Sequence, residues 1–309
     1  MKTKIATFLR ERDGFVILTH CRPDGDTVGS AAALCRGLRS LGKIAWVLEN
    51  PEITPKYAPL LEGLTCPSAE NATVIAVDVA SPGMLPVNGK ALQVALRIDH
   101  HGSATSFADL EWVEPDTAAC GEIVFDLLME LGVAPDRDIA NAVYTAVATD
   151  TGCFRYANTR SHTLQVAAQC ALFSDELFAI NQKLFDTNTL GRLRIQGWMV
   201  ENAIFLQDGK VCICAIDARV EKELGVVEDD MENISGFPRS IEGVCLAATL
   251  REKDGVVKIS VRAVPGWDAA AVCEKFGGGG HKGAAGASID APLEEAVRLL
   301  IRALEEMVD

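Results

Sequence analysis

Residues 20–30 read HCRPDGDTVGS, a polar stretch between the apolar runs FVILT (15–19) and AAALCRGL (31–38). The first run, short, apolar and rich in β-branched residues, reads as a buried strand. The small and apolar residues from Gly29 onward read as a helix that stops at Gly42. A histidine and two aspartates in such a turn have two explanations. Asp24 and Asp26 can cap the helix, because carboxylates are favoured at helix N-termini, or they can help gather a cation. The rest of the chain has to decide between these.

Working outward, KIAWVLE (43–49), TVIAVDVA (73–80) and ALQVALRID (91–99) read as strands. TVIAVDVA is nearly continuous in apolar residues, the pattern of a parallel strand covered on both faces. CGEIVFDLLMELG (120–132, with Gly132 as its stop), DRDIANAVYTAVATD (136–150) and SHTLQVAAQCALF (161–173) read as helices. Strands alternating with helices predict an α/β domain with a parallel sheet over 1–186. A connecting helix is expected at 187–200. Beyond it, KVCICAIDA, SIEGVCLAATLRE, VVKISVRAV and HKGAAGASID read as strands, and DAAAVCEKF and LEEAVRLLIRALEEMV as helices, giving a smaller α+β domain over 201–309.

The bulk numbers set limits. The chain has 309 residues, 49% hydrophobic and 23% charged, the composition of a globular protein large enough for two domains. No apolar stretch approaches the roughly 20 residues that span a bilayer. The N-terminus turns charged before a signal-peptide core could form, so a cytoplasmic protein is expected. The ten cysteines are scattered without a C-x-x-C pair, which argues against disulfides and structural zinc. Cys212 and Cys214 share one face of a strand and read as core. The four tryptophans read as packing residues, and the acidic run Glu228, Asp229, Asp230 as a solvated loop. A net charge of −14 is unlike that of a protein tracking long nucleic acid through a basic groove. Small or short anionic substrates, held by local cations or bound metal, are expected instead.

In an open parallel sheet, ligands bind at the carboxyl ends of the strands. His20, Asp24 and Asp26 follow the first strand, Asp78 ends TVIAVDVA, and Asp99, His100 and His101 end ALQVALRID. The helix 136–150 can deliver Asp150 to the same edge. Three of the five histidines fall in these groups; a fourth, His281, lies in a glycine-rich stretch, and only His162 is left over. Carboxylates gathered at one edge repel one another, so a cation has to hold them. A carboxylate and imidazole set without thiolate favours manganese, then magnesium or cobalt, and its size favours two ions, the arrangement that activates water for in-line displacement at phosphorus. Neighbouring residues on an extended segment point to opposite sides. His100 and His101 are therefore expected to diverge, one toward an ion and the other toward substrate.

HCRPDGDTVGS, the Val77-Asp78 pair, IDHHGS (98–103) and ATDTG (148–152) together resemble the four motifs of the DHH phosphoesterase superfamily. FGGGGHKGAAG (276–286) is similar to the signature of its associated DHHA1 domain. Within the superfamily, length and layout are most similar to the bacterial nanoRNase/pAp-phosphatase group, which degrades very short RNA and dephosphorylates 3′-phosphoadenosine 5′-phosphate (pAp). The resemblance implies that His20, Asp24 and Asp78 hold one ion, and that Asp26, Asp78, His100 and Asp150 hold the other. It implies that Asp99 orients a histidine without touching an ion, and that His101 faces the substrate and can protonate the leaving oxygen.

The glycines of FGGGGHKGAAG read either as a tight hairpin or as backbone approaching an anion, with His281 and Lys282 adding donors beside Gly279 and Gly280. Arg262 lies on a strand running toward this stretch, Val261 and Ala263 facing the other way; a guanidinium can hold a phosphate bidentately. Arg155, close after Asp150, could also reach a substrate. Short oligonucleotides or small nucleotides are the expected partners, with no long nucleic acid and no membrane; a homodimer is left open. Alternatives are a phosphodiesterase for linear pApA or cyclic di-AMP, a manganese pyrophosphatase, whose basic second-domain signature is missing here, and a non-catalytic nucleotide sensor on the same fold.

Overall fold

The structure, a computed structural model, describes residues 1–102, 105–231, 233–253 and 255–306. The chain divides into two units, Met1–Thr187 and Asn188–Asp309. Among the described residues no helix is long and apolar enough to cross a membrane.

The first unit carries six strands: β1 (Phe15–Leu18), β2 (Ala45–Leu48), β3 (Thr65–Cys66), β4 (Thr73–Val77), β5 (Val94–Asp99) and β6 (Ala108–Val113). They form one wholly parallel sheet in the order β3-β2-β1-β4-β5-β6. The expected parallel sheet is present, with β3 and β6 as edges that the sequence reading did not assign. Alternate residues face two apolar layers: Phe15, Ile17, Val47, Ile75 and Val77 on one side, Val16, Leu18, Leu48, Val74 and Ala76 on the other. The helices are α1 (Lys2–Glu11), α2 (Gly25–Ser40), α3 (Cys120–Leu131), α4 (Arg137–Asp150), α5 (Ser161–Phe173) and α6 (Leu177–Asn181). The helix α1, also unassigned from sequence, buries Ile5, Ala6 and Leu9 on one stripe.

The helix α2 begins at Gly25, four residues earlier than read. Asp24 is its N-cap and accepts from the backbone N–H groups of Asp26 and Thr27. Gly29 consequently lies inside the helix. A Cβ there would sit 2.4 Å from the carbonyl oxygen of Ala142, and one at Gly25 would sit 2.4 Å from the Thr149 side chain. These glycines bring the start of α2 against the end of α4, which carries Asp150.

The second unit holds α7 (Leu190–Glu201), β7 (Ile204–Leu206), β8 (Val211–Ile216), α8 (Ala218–Leu224), β9 (Leu246–Lys253), β10 (Val256–Ala263), α9 (Ala269–Glu274), β11 (Gly279–His281), β12 (Ala284–Ile289) and α10 (Leu293–Glu305). Its sheet, in the order β11-β12-β10-β9-β8-β7, is mixed, only β8 and β9 being parallel. One face packs on α9 and α10 through Ala269, Val272, Ala296 and Leu300. The other buries Cys212, Cys214 and Ile216 against Ile195 and Met199 of α7. The stretch read as a connecting helix therefore packs on this sheet, and the two cysteines are core residues. The acidic run is solvated only in part: Glu228 and Asp229 are exposed, Glu228 pairing with Arg251 and Lys253, while Asp230 is 3% exposed and accepts from Thr189 Oγ1 and Val227 N.

Replacing Gly29 with alanine forces α2 away from α4. Gly29→Ala is expected to cost about 1–3 kcal/mol, the usual range for overpacking. Urea unfolding checks this; an unchanged midpoint would show that the two helices tolerate a wider spacing.

Candidate active site

The strands β1, β4 and β5 are neighbours, and chain direction through the sheet reverses between β1 and β4, the topological switch point where such sheets bind ligands. The three polar groups that follow these strands therefore meet at one edge.

His20 is set by its neighbours. Its carbonyl accepts from Asn50 Nδ2 at 3.0 Å, and its backbone N–H donates to Thr27 Oγ1 at 3.3 Å. Thr27 Oγ1 in turn donates to the Val77 carbonyl on β4 at 3.1 Å. The ring Nδ1 lies 2.7 Å from the Cys21 carbonyl, so it carries the proton and leaves Nε2 facing Asp24 (3.5 Å) and Asp78 (3.6 Å). Asp26 is fully buried. Its Oδ2 accepts from Cys120 N at 2.7 Å, and its Oδ1 from Gly121 N at 2.9 Å and Ser30 Oγ at 3.0 Å. The start of α3 thus supplies N–H groups and the positive end of a helix dipole to this carboxylate.

Asp78 follows β4 in a left-handed conformation, φ 58°, which aspartate tolerates better than most residues. Its N–H is fixed by the Ile98 carbonyl at 2.9 Å. Its Oδ1 is buried without a hydrogen-bond partner. His100 Nε2 lies 3.4 Å from this atom, 3.4 Å from Asp150 Oδ2 and 3.7 Å from Asp26 Oδ2.

His100 and His101 do not diverge as an extended segment would require. The strand ends at Asp99, whose Oδ1 accepts from both following N–H groups, at 2.8 and 3.2 Å, and curls the chain. The two rings lie edge to face at 4.7 Å, and His101 Nδ1 comes within 3.6 Å of Asp78 Oδ1 while bonded to Asp99 Oδ1 at 2.8 Å.

Three sets of side chains offer atoms within 4.8 Å of one another: His20 with Asp24 and Asp78; Asp26 with His100 and Asp150; and Asp78 with His100 and His101. Imidazole nitrogens turned toward carboxylates, with a buried unpartnered Asp78 oxygen among them, suit hard to borderline divalent cations.

Charge interactions inside the site are strong. Burial works to lower the His20 pKa, but Asp24 and Asp78 outweigh it and push it up to about 11; Asp78, Asp26 and Asp150 likewise push His100 up to about 10. Burial and the nearby Asp78 push Asp150 up to about 7, and burial with Asp78 and Asp150 raises Asp26. Asp99 is held below the usual carboxylate range: burial opposes this, but His101 and Arg97 prevail.

The Nε of Arg155 donates to the Gly152 carbonyl at 2.6 Å. In the second unit, Arg262 and His281 are both in register with Ala284, on β10 and β11 respectively, so the three side chains share one face in a row across the sheet. Val261 and Ala263 are buried on the other face. The glycine stretch is an edge hairpin rather than a loop. Gly277 has φ 70°, a Cβ on Gly278 would meet the Gly286 carbonyl oxygen at 2.2 Å, and Gly280 combines φ 148° with a 2.6 Å clash. Gly279 faces open space and needs no special backbone. Lys282 uses its carbonyl to accept from Ala269 N.

Sequence reasoning overlooked Thr27, Asn50, the α3 N-terminus and Arg97. Only Arg97 left a visible signal, as the one cation inside the apolar run ALQVALRID.

The model of the DHH family N-terminal domain matches residues 14–147, and that of the DHHA1 domain residues 208–309. The chain is 33% identical to a bifunctional oligoribonuclease and PAP phosphatase NrnA of Thermus thermophilus, over 98% of this chain and 93% of that one. It is 26% identical to the Bacillus subtilis protein of the same name, over 97% and 96%. Among solved structures, an exopolyphosphatase-related protein from Bacteroides fragilis superposes with a TM-score of 0.88 at 25% identity, covering 99% of this chain and 95% of that one. RecJ from Thermus thermophilus, solved in complex with Mn2+, shares the fold, with a TM-score of 0.53 at 15% identity, 98% of this chain and 55% of that one. The parallel sheet with acid and imidazole at its switch point, followed by a mixed-sheet unit with a glycine-rich edge, is the layout of a two-domain metal-type phosphoesterase. The chain belongs to the DHH–DHHA1 phosphoesterase family.

Cation binding at these histidines must expel the protons that His20 and His100 hold at neutral pH in the metal-free protein. Manganese affinity is therefore expected to rise with pH from 6 to 9, with at least about one proton released per ion at pH 7, since the raised Asp26 and Asp150 carboxyls add to the two histidines. Calorimetry in buffers of different ionisation enthalpy measures this; an affinity independent of pH would contradict it.

Proposed function

We propose that this phosphoesterase hydrolyses short oligoribonucleotides and pAp with two divalent ions, manganese foremost. The observation that carries the reading is Asp78: its buried Oδ1 has no hydrogen-bond partner, while its two oxygens face separate groups of imidazoles and carboxylates. In this reading His20, Asp24 and Asp78 hold one ion, and Asp26, Asp78, His100 and Asp150 the other. Such ions, when bound, lower the pKa of water and neutralise charge building on phosphorus oxygens.

The protein's own groups do the rest. Asp99 keeps the Nδ1 of His101 engaged, so the remaining ring nitrogen is offered to the leaving oxygen as a proton donor. Nδ1–H of His20 stays on the Cys21 carbonyl, holding that ring in one tautomer. Arg262 and His281, with the small Ala284 between them, form a row of donors for a substrate phosphate, assisted by Lys282 and by the backbone at Gly279 and Gly280. A phosphate contact separate from the reacting one favours substrates carrying several phosphates, as pAp and short oligonucleotides do. Arg155 is assigned to the same substrate.

The test is a panel of pAp, pApA, dinucleotides to pentanucleotides, cyclic dinucleotides and pyrophosphate assayed with manganese. Turnover of pAp and of the shortest RNAs is expected; turnover of pyrophosphate alone would refute the reading. Asp78→Ala should abolish hydrolysis, and retained activity would remove its role between the two groups.

Arg262→Ala should raise KM by about tenfold or more, equivalent to about 1.4 kcal/mol of binding, with a smaller effect on kcat. The edge hairpin makes a sharper comparison. Gly279→Ala should unfold at the wild-type temperature yet raise KM, because only substrate occupies that space, whereas Gly280→Ala should destabilise the fold. Thermal unfolding beside steady-state kinetics separates the two.

A further inference from the structure

Among the described residues Arg97 is the largest side chain fully buried, 0% exposed in the middle of β5. Two residues along the same strand face lies Asp99, also 0% exposed. Nη2 of Arg97 donates to Asp99 Oδ2. Nη1 reaches the Thr105 carbonyl at 3.3 Å and stands 3.7 Å from Glu111 Oε2, across the strand pair in direct register. The Phe107 ring covers the guanidinium, 5.1 Å from its carbon. Glu111 is itself anchored, its Oε1 accepting from Phe107 N at 2.8 Å and Ala108 N at 3.1 Å. Arg97 Nε is buried without a hydrogen-bond partner, so the guanidinium is placed to serve its Nη groups rather than to satisfy itself.

A cation wholly out of water costs several kcal/mol, and well-packed apolar residues often replace such a pair without loss. Stability alone therefore does not account for it. What the pair does is visible in Asp99. Oδ2 is taken by Arg97, and Oδ1 is left to accept His100 N, His101 N and His101 Nδ1. Without the clamp on Oδ2, rotation about the Asp99 side-chain bonds would release all three.

We propose that Arg97 is a positioning residue for the reaction: by clamping Asp99 against β6 it fixes the His101 ring, Nδ1 inward and the other nitrogen toward substrate. The inference rests on the role given to His101 above. Arg97 contacts none of the residues assigned to the ions, so it acts through Asp99.

The experiment uses Arg97→Met and Arg97→Lys in the full chain. Steady-state kinetics are measured on a dinucleotide with manganese, and the ring N–H proton of His101 is followed by NMR in the magnesium-loaded protein, assigned by its loss in His101→Asn. Arg97→Met should lower kcat by about 100-fold, in the range of a lost general acid, with KM within about twofold, and should erase or shift the His101 resonance. Arg97→Lys keeps the charge but cannot span Asp99, Thr105 and Glu111 together; a displaced resonance and an intermediate kcat are expected. A folded Arg97→Met with wild-type kcat, or with a lowered kcat and an unmoved resonance, overturns the proposal. If Arg97→Met does not fold, wild-type kcat and resonance in Arg97→Lys overturn it equally. Failure of the wild-type protein to cleave any short nucleotide would instead refute the function, while the resonance would still report whether Arg97 holds the ring.

Discussion

Four carboxylates, those of Asp24, Asp26, Asp78 and Asp150, converge with the imidazoles of His20, His100 and His101 at the carboxyl edge of one sheet. Like charges about 4 Å apart repel by about 4 kcal/mol at an effective dielectric constant of about 20. Much of the first unit can be understood as a frame built to hold that arrangement. The crowding is visible in the groups themselves: burial and then mutual repulsion raise Asp26 and Asp150, while the pull of the carboxylates outweighs burial and keeps His20 and His100 protonated far above their ordinary range.

The frame answers with backbone. Asp24 is bound to the N–H groups that open α2, Asp26 to those that open α3, and Asp78 is locked by β5 in a conformation few residues accept. Glycines at 25 and 29 remove the atoms that would keep α4, and so Asp150, at a distance. Each of these devices is a short-range contact in space, acting on the ends of β1 and β4 and on helix α4. Their agreement in space comes from the sheet order, which sets β1, β4 and β5 side by side.

The motif residues were legible because their chemistry has few other uses. A histidine and two aspartates after a buried strand, then Asp78, then the Asp99-His100-His101 run, point to one edge once the parallel sheet is inferred. Asp24 shows that the two readings of an N-terminal aspartate need not exclude each other: it caps α2 and still faces His20 at 3.5 Å. Less legible were elements whose sequence lacks contrast. The strand β6 is a half-buried edge strand with acids among its apolar residues, and α1 shows only a three-residue stripe. The relation between His100 and His101 was misread because the pleat rule stops where the strand stops, and a side chain, Asp99, decides where that is.

Sequence alone determined the two α/β units, the residue types offered to a cation and the family to which they belong, because hydrophobic period and acid–imidazole pairing are properties of the chain itself. Only the tertiary structure decided which glycines are required by packing and which, like Gly279, are not. It alone decided that Asp26 rests on the start of α3, and that Arg97 on β5 is tied to Glu111 on β6 while clamping Asp99. Those facts depend on atoms brought together from distant parts of the chain, and no local pattern records which side chain a buried charge will meet.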